Sequence, residues 1–136
     1  MKKKKILIVD DELDMRIFLS TLLKTSGYQP VVTRDGNEGI QKAKAIVPDL
    51  IILDVMMPGE GGVQMYRELK IDPVLRTIPV MMLSAVAKRT FSHYLKMVNI
   101  RMDSHIPDPD AYMEKPPEAD ELLQMTDRLT DSSERH

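Results

Sequence analysis

The chain has 136 residues, 29% charged and 43% apolar, with a formal net charge of -2. That is the size and balance of one soluble globular domain with a real core, and no global positive field recruits nucleic acid. The absence of cysteine excludes disulfides and thiolate metal sites, and no segment is long and apolar enough to span a bilayer.

Lys2 to Lys5 is basic, but only four apolar residues follow it, which is too short for a secretory core. The run is expected to be a solvated lead-in to a strand, in a chain that fits the cytoplasm. Residues 6–9, Ile-Leu-Ile-Val, form the first strand, and the carboxylates Asp10, Asp11 and Glu12 follow at once. Residues 13–24 carry Met15, Ile17, Phe18 and Leu22 at helical intervals, and Gly27 is a C-terminal stop. Residues 29–33 are a short second strand. Asp35-Gly36-Asn37 is a turn with capping residues, and 38–47 is a helix facing inward with Ile40, Ala43 and Val47.

Residues 50–53, Leu-Ile-Ile-Leu, are a continuous apolar run that stops at Asp54, as expected of a parallel strand covered on both faces. Pro58, Gly59, Gly61 and Gly62 make a tight loop after it. A helix over 63–70 carries Met65, Tyr66 and Leu69 and is broken by Asp72-Pro73. Residues 78–83 are a fourth strand ending at Ser84. A helix over 88–99 offers Phe91, Tyr94, Leu95 and Val98, and residues 100–110 are irregular with Pro107 and Pro109. Residues 111–114 are a fifth strand, Lys115-Pro116-Pro117 follows, and 118–129 is a last helix with Leu122, Leu123, Met125 and Leu129. The folded unit is expected over 1–130, with a polar tail at 131–136. The eleven methionines lie mostly in apolar runs and read as core filler.

Strict β-α alternation argues for a parallel sheet with helices on both faces. In such sheets ligands bind outside the carboxyl ends of the strands. The strand ends deliver Asp10 and Asp11, Asp54, Ser84 and Lys115 to one rim. Clustered carboxylates repel unless a cation relieves them. Lys115 supplies one charge, and a hard divalent ion with a taste for oxygen, Mg²⁺ above all, supplies more. An acidic pair, a third carboxylate, a hydroxyl and a lysine suit in-line phosphoryl transfer to a carboxylate nucleophile.

Four segments carry a resemblance over nearly the whole chain: Ile8-Val-Asp-Asp-Glu12, Leu53-Asp-Val-Met-Met-Pro-Gly59, Pro79-Val-Met-Met-Leu-Ser-Ala85 and Tyr112-Met-Glu-Lys-Pro116. Together, in this order, they resemble the CheY-like receiver domains of two-component response regulators. The resemblance implies a flavodoxin-like (βα)5 fold, a doubly wound parallel sheet of strand order 2-1-3-4-5, as flavodoxin and CheY have. It implies that Asp54 becomes an aspartyl phosphate, that Asp10, Asp11, Asp54 and the Met56 backbone carbonyl hold Mg²⁺, and that Lys115, joined to Pro116 by a cis bond, pairs with the phosphoryl oxygens. Ser84 resembles the switch hydroxyl, and Tyr112 the aromatic that turns inward behind it. The partners implied are a histidine kinase or histidine phosphotransfer protein and a downstream protein target, with no direct contact to nucleic acid or membrane. Such a chain is a switch that handles its own phosphorylation rather than a turnover enzyme.

The stretch between Ala85 and Lys115 is longer than the family's usual one, and the excess is assigned to a loop over 100–110. Met56 and Val86 stand two positions past Asp54 and Ser84 and offer no help to an attacking water, which implies a phosphorylated state that is not short-lived. Singly, each residue has a plainer reading: a capping aspartate, a small polar serine, a solvated lysine, a core tyrosine. Jointly those readings fail, because five accidents would share one rim. Two alternatives remain. One is a phosphorylation-independent interaction module on the same fold. The other is an aspartate-nucleophile phosphohydrolase, disfavoured because Met56 occupies the position of the general acid. His93, His105 and His136 lack metal spacing and read as surface residues.

Overall fold

The computed structural model describes residues 2–55 and 61–131. Among them are β1 (Lys5–Val9), α1 (Leu13–Thr25), β2 (Gln29–Thr33), α2 (Gly36–Ile46), β3 (Leu50–Leu53), α3 (Gly62–Ile71), a 3-10 turn (Leu75–Thr77), β4 (Val80–Ser84), α4 (Lys88–Met102), β5 (Ala111–Glu114) and α5 (Ala119–Thr130). The five strands are all parallel in the order β2-β1-β3-β4-β5. This is the parallel sheet with helices on both faces that the alternation points to, in the flavodoxin-like order that the resemblance implies.

Successive side chains of a strand point to opposite faces, and the central strands divide the core accordingly. Leu7, Val9, Ile51, Leu53, Val80 and Met82 pack under Ala43 of α2, Met65, Tyr66 and Leu69 of α3, and Phe91 and Leu95 of α4. Ile6, Ile8, Leu50, Ile52, Met81 and Leu83 pack under Leu19 and Leu23 of α1 and Leu122 of α5. Every residue of β3 is buried, so its unbroken apolar run reports two covered faces rather than one.

Several boundaries and faces differ from the expected ones. On α1, Ile17 and Phe18 are 54% and 37% exposed, while Leu19 and Leu23, one turn apart, are fully buried. Apolar residues occur on more than one side of the helix, and the docked face decides which of them go inside. On α2, Asp35 accepts the Glu38 N–H at 2.9 Å, so the helix begins at Gly36. Val47 takes a left-handed conformation (φ 44°) that ends it, and its side chain is exposed. Strand β4 starts at Val80 rather than Ile78, because the Ile78 N–H is taken by the Leu75 carbonyl of the 3-10 turn. On α4, Tyr94 is 52% exposed, and the inward face is Phe91 and Leu95.

Helix α4 also runs through Met102, three residues beyond the expected end, and closes at Asp103 in the left-handed region (φ 49°). Residues 103–110 then form a loop held by side chains. Asn99 Oδ1 accepts from Ser104 Oγ at 2.8 Å and from Ile106 N at 3.0 Å, and Asn99 Nδ2 donates to Ile106 O at 2.9 Å. Ile106 enters the core. The buried Tyr66 hydroxyl donates to Pro107 O at 2.7 Å, and Asp110 accepts the Val80 N–H at 2.8 Å. The loop is thus fastened to α4, α3 and β4.

Asn99→Ala removes three of these bonds and leaves Ile106 polar groups partly buried, an effect of about 1–3 kcal/mol. Chemical denaturation should show that loss, and amide exchange over 104–110 should accelerate before global unfolding.

Candidate functional site

The backbone past each strand end extends the sheet. Asp10 N–H donates to Thr33 O at 3.2 Å, Asp54 N–H to Val9 O at 3.0 Å, and Lys115 N–H to Ser84 O at 2.8 Å. The carboxyl edge of the sheet thereby fixes three main-chain positions whose side chains converge. Lys115 Nζ lies 2.9 Å from Asp10 Oδ2, 3.2 Å from Asp54 Oδ2 and 2.6 Å from Glu12 Oε1. Asp10 and Asp54 are buried, and the Lys115 side chain is only 10% exposed.

Asp10 is held further. Its Oδ1 accepts the Glu12 N–H at 2.8 Å, and its carbonyl accepts from Arg16 Nη1 at 2.9 Å. Glu12 stands at the N-cap of α1, yet its side chain caps nothing and turns to Lys115 instead. Asp11 is exposed beside it. Oxygen atoms of Asp10, Asp11, Glu12 and Asp54 all lie within 4.8 Å of one another. An all-oxygen, carboxylate-rich donor set fits a hard divalent cation. Burial alone would lower the Lys115 ammonium, but its bonds to Glu12 and Asp10 and the charges of Asp54 and Asp10 outweigh burial and hold its pKa above the ordinary value.

Ser84 is fully buried at the end of β4, and its Oγ accepts the Val86 N–H at 3.1 Å. The Tyr112 hydroxyl donates to the carbonyl of the same Val86 at 2.5 Å, and its ring lies 5.4 Å from that of Phe91. Burial raises the Tyr112 phenol, a hydrogen bond with Ser84 opposes that, and the charges of Glu114 and Asp54 add to it. Val86 therefore joins the two side chains expected to act together. The Lys115–Pro116 bond is cis.

Asp10, Asp11, Asp54, Ser84, Lys115 and Tyr112 thus all gather at or beside one rim. The Met56 carbonyl and the Pro58-Gly59 part of the loop lie outside the described residues, as does His136. His93 and His105 are exposed.

Two residues at the site have parts that the sequence alone does not assign. Glu12 belongs to the acidic run, and nothing along the chain marks its side chain as the partner of Lys115. Gly62 reads as loop; a Cβ there would meet Asp54 O at 2.0 Å and Val55 Cα at 2.8 Å. The first turn of α3 therefore lies directly against the backbone of Asp54. A glycine after Pro-Gly-Glu-Gly gives no sequence signal that separates this role from an ordinary turn.

The profile of the response regulator receiver domain family matches residues 6–127. The chain is 39% identical to the phosphate regulon transcriptional regulatory protein PhoB of Escherichia coli over 82 residues, which is 60% of this chain and 36% of PhoB. It is 37% identical to the polar-differentiation response regulator DivK of Brucella anthropi over 89 residues, 65% of this chain and 72% of DivK. Among solved structures, the signal receiver domain of a signal transduction histidine kinase from Syntrophus aciditrophicus is similar with a TM-score of 0.81 at 32% identity, covering 98% of this chain and 94% of that one. The match to PhoB thus takes in about a third of that longer protein.

Gly62→Ala cannot be accommodated without moving the Asp54 main chain. It should cost on the order of 2 kcal/mol or more in a denaturant titration, and backbone NMR shifts of Asp54 and Val55 should move more than those of β2.

A second expectation concerns pH. The folded-state pKa of Lys115 is raised above its ordinary value of 10.5, so its contribution to stability is complete below that value. The contribution declines as pH rises through the folded-state pKa. Lys115→Met should accordingly flatten part of the fall in melting temperature on the alkaline side, in scans from neutral pH upward.

Proposed function

The chain belongs to the response regulator receiver family, and from that premise we propose that it is a phosphoacceptor switch whose acceptor is Asp54. A receiver is a signalling module rather than a classical enzyme, and the family implies a histidine kinase as partner. The observation that carries the reading is the lysine among the carboxylates: Lys115 Nζ is 3.2 Å from Asp54 Oδ2 and 2.9 Å from Asp10 Oδ2.

The donor is a phosphohistidine on a kinase or histidine phosphotransfer protein. An Asp54 oxygen attacks phosphorus as the P–N bond breaks, and the electron pair leaves with the imidazole nitrogen, which takes up a proton. The negative charge of an aspartate is what makes it a nucleophile, and the Lys115 ammonium lies 3.2 Å from Asp54 Oδ2. Asp10, Asp11 and Asp54 would hold Mg²⁺, with the Met56 carbonyl as the further ligand that the family pattern implies. When bound, the ion supplies positive charge for the phosphoryl oxygens. Lys115 supplies the rest of that charge from the strand-five side.

The switch is read from Ser84 and Tyr112. A phosphoryl oxygen that draws the Ser84 hydroxyl takes Oγ from the Val86 N–H, and the Val86 carbonyl is the Tyr112 partner. Occupancy of Asp54 and the position of Tyr112 are thereby coupled through one residue. The energy for the change is the difference in contact with the phosphoryl group between two conformations. A downstream protein reads the outcome, and no direct contact with nucleic acid is assigned to this chain. Among the described residues no helix is long and apolar enough to cross a membrane, and we place the protein in the cytoplasm with its kinase partner. Val86, apolar and two positions past Ser84, offers nothing to orient a hydrolytic water, so the aspartyl phosphate should outlive seconds.

Incubation with acetyl phosphate and Mg²⁺, followed by intact-mass spectrometry, should show one added phosphoryl group on the wild type and none on Asp54→Ala. Lys115→Met should slow the labelling, and decay of the adduct at neutral pH gives its lifetime. An unlabelled wild type would overturn the reading in favour of a phosphorylation-independent interaction module, and decay within seconds would overturn the lifetime.

A further inference from the structure

A cleft of about 450 Å³ opens between α3 and α4, beside Val55. Val55, Val63 and Val98 give it an apolar floor, and Arg67 and Arg101 give it two guanidinium groups. No acidic residue lines it among the described residues, although the chain as a whole carries a net charge of -2. Arg67 Nε is buried and has no hydrogen-bond partner. A buried N–H without an acceptor is costly, and on a cationic group more so. The planar fork of a guanidinium matches a carboxylate in two parallel bonds. Exposed Tyr94 and Met102, each at 52%, extend the apolar surface along the α4 side of the cleft.

We propose that this cleft is a docking site for an acidic, apolar-flanked segment of a partner protein, with a carboxylate of that segment seated on Arg67 and Arg101. Charge complementarity selects the anion. The apolar floor and the exposed tyrosine and methionine select a peptide chain over a bare ion, since an inorganic anion has no use for three valines. The inference is independent of phosphorylation at Asp54. It does place the partner beside Asp54, because Val55, which follows Asp54 directly, lines the cleft.

The test uses the whole chain and an acetylated, amidated peptide, Leu-Glu-Leu-Leu-Glu, with a control in which both glutamates are glutamine. The Arg67 Nε–Hε signal is followed by heteronuclear NMR during titration. The acidic peptide should move it saturably, and Arg67→Met should weaken binding at least tenfold, as read from Tyr94 and Val98 resonances. Arg101→Gln should weaken it less, and Arg34→Gln, whose guanidinium pairs with Glu38 on α2, should not. Arg67→Met removes an unpartnered buried donor and should melt at or above the wild-type temperature. Equal binding of the glutamine peptide, no saturable shift at millimolar peptide, or unchanged binding by Arg67→Met would each overturn the proposal. So would acetate shifting Arg67 as strongly as the peptide does, which would mark a simple anion site. If Arg67→Met proves unfolded, Arg101→Gln decides alone: unchanged binding refutes the proposal and weakened binding supports it.

Discussion

One ammonium group among three carboxylates is the contact on which the site depends. Two like charges about 4 Å apart cost roughly 4 kcal/mol at an effective dielectric near 20. Asp10 and Asp54 are both nearly out of water, and neither can turn to solvent for relief. Lys115 touches both and adds Glu12. It comes from the opposite side of the sheet order: β5 is an edge strand, whereas β1 and β3 are adjacent inside. The ion cluster therefore joins segments distant in sequence, and it exists only if β1, β3 and β5 run in the same direction. Reversing any one of these three would carry its residue to the other edge.

The rigidity of that rim comes from the apolar half of the fold. Ile6, Leu7, Ile8 and Val9 are fully buried, as are their β3 neighbours to within 1%. Strands packed on both faces hold their ends in place, and the next residues continue the ladder with Thr33 and Val9 as acceptors. Gly62 adds a constraint from the helix side, since α3 begins against the Asp54 carbonyl with no space for a side chain. The main chain is thus settled by packing and hydrogen bonds. The side-chain charges are the part of the rim left to respond to a ligand, and that division suits the switch proposed above.

Much of this was legible in the sequence because the signals were local. Four apolar residues stopping at Asp54, a similar run stopping at Asp10, and a lysine before a proline each mark a strand end without knowledge of what packs against it. The parallel order follows from the alternation together with the resemblance to receivers. What was not legible depends on contacts between elements. The choice of Leu19 and Leu23 over Ile17 and Phe18 is made by where α1 lands on the sheet, since both pairs are apolar. The late start of β4 depends on a 3-10 turn that takes the Ile78 N–H. The extra turn of α4 ends where Asn99 folds back onto Ile106, seven residues on, a side-chain bond that helical periodicity does not signal. The part of Gly62 and the pairing of Glu12 with Lys115 are of the same kind: each is a close approach of two segments, invisible along either one.

Helix α4 is held very differently at its two ends, and that asymmetry bears on how a change at Asp54 travels. Its C-terminal end is fastened by Asn99 to a loop that Tyr66 and Asp110 tie to α3 and β4. Its N-terminal end begins at Lys88, two residues after Val86, and Val86 is held through Ser84 Oγ and the Tyr112 hydroxyl. Glu114 reaches the Lys88 N–H only at 3.5 Å, too long to anchor it firmly. Apart from the packing of Phe91 in the core, the first turn is thus tethered by exchangeable hydrogen bonds, and a helix pinned at its other end pivots more readily than it slides. If Ser84 Oγ leaves the Val86 N–H for another partner, the displacement is largest at the start of α4 and smallest at the loop over 103–110. Under the proposed switch, the longer connection before β5 would be the fixed point and the surface beside Tyr112 the one that moves.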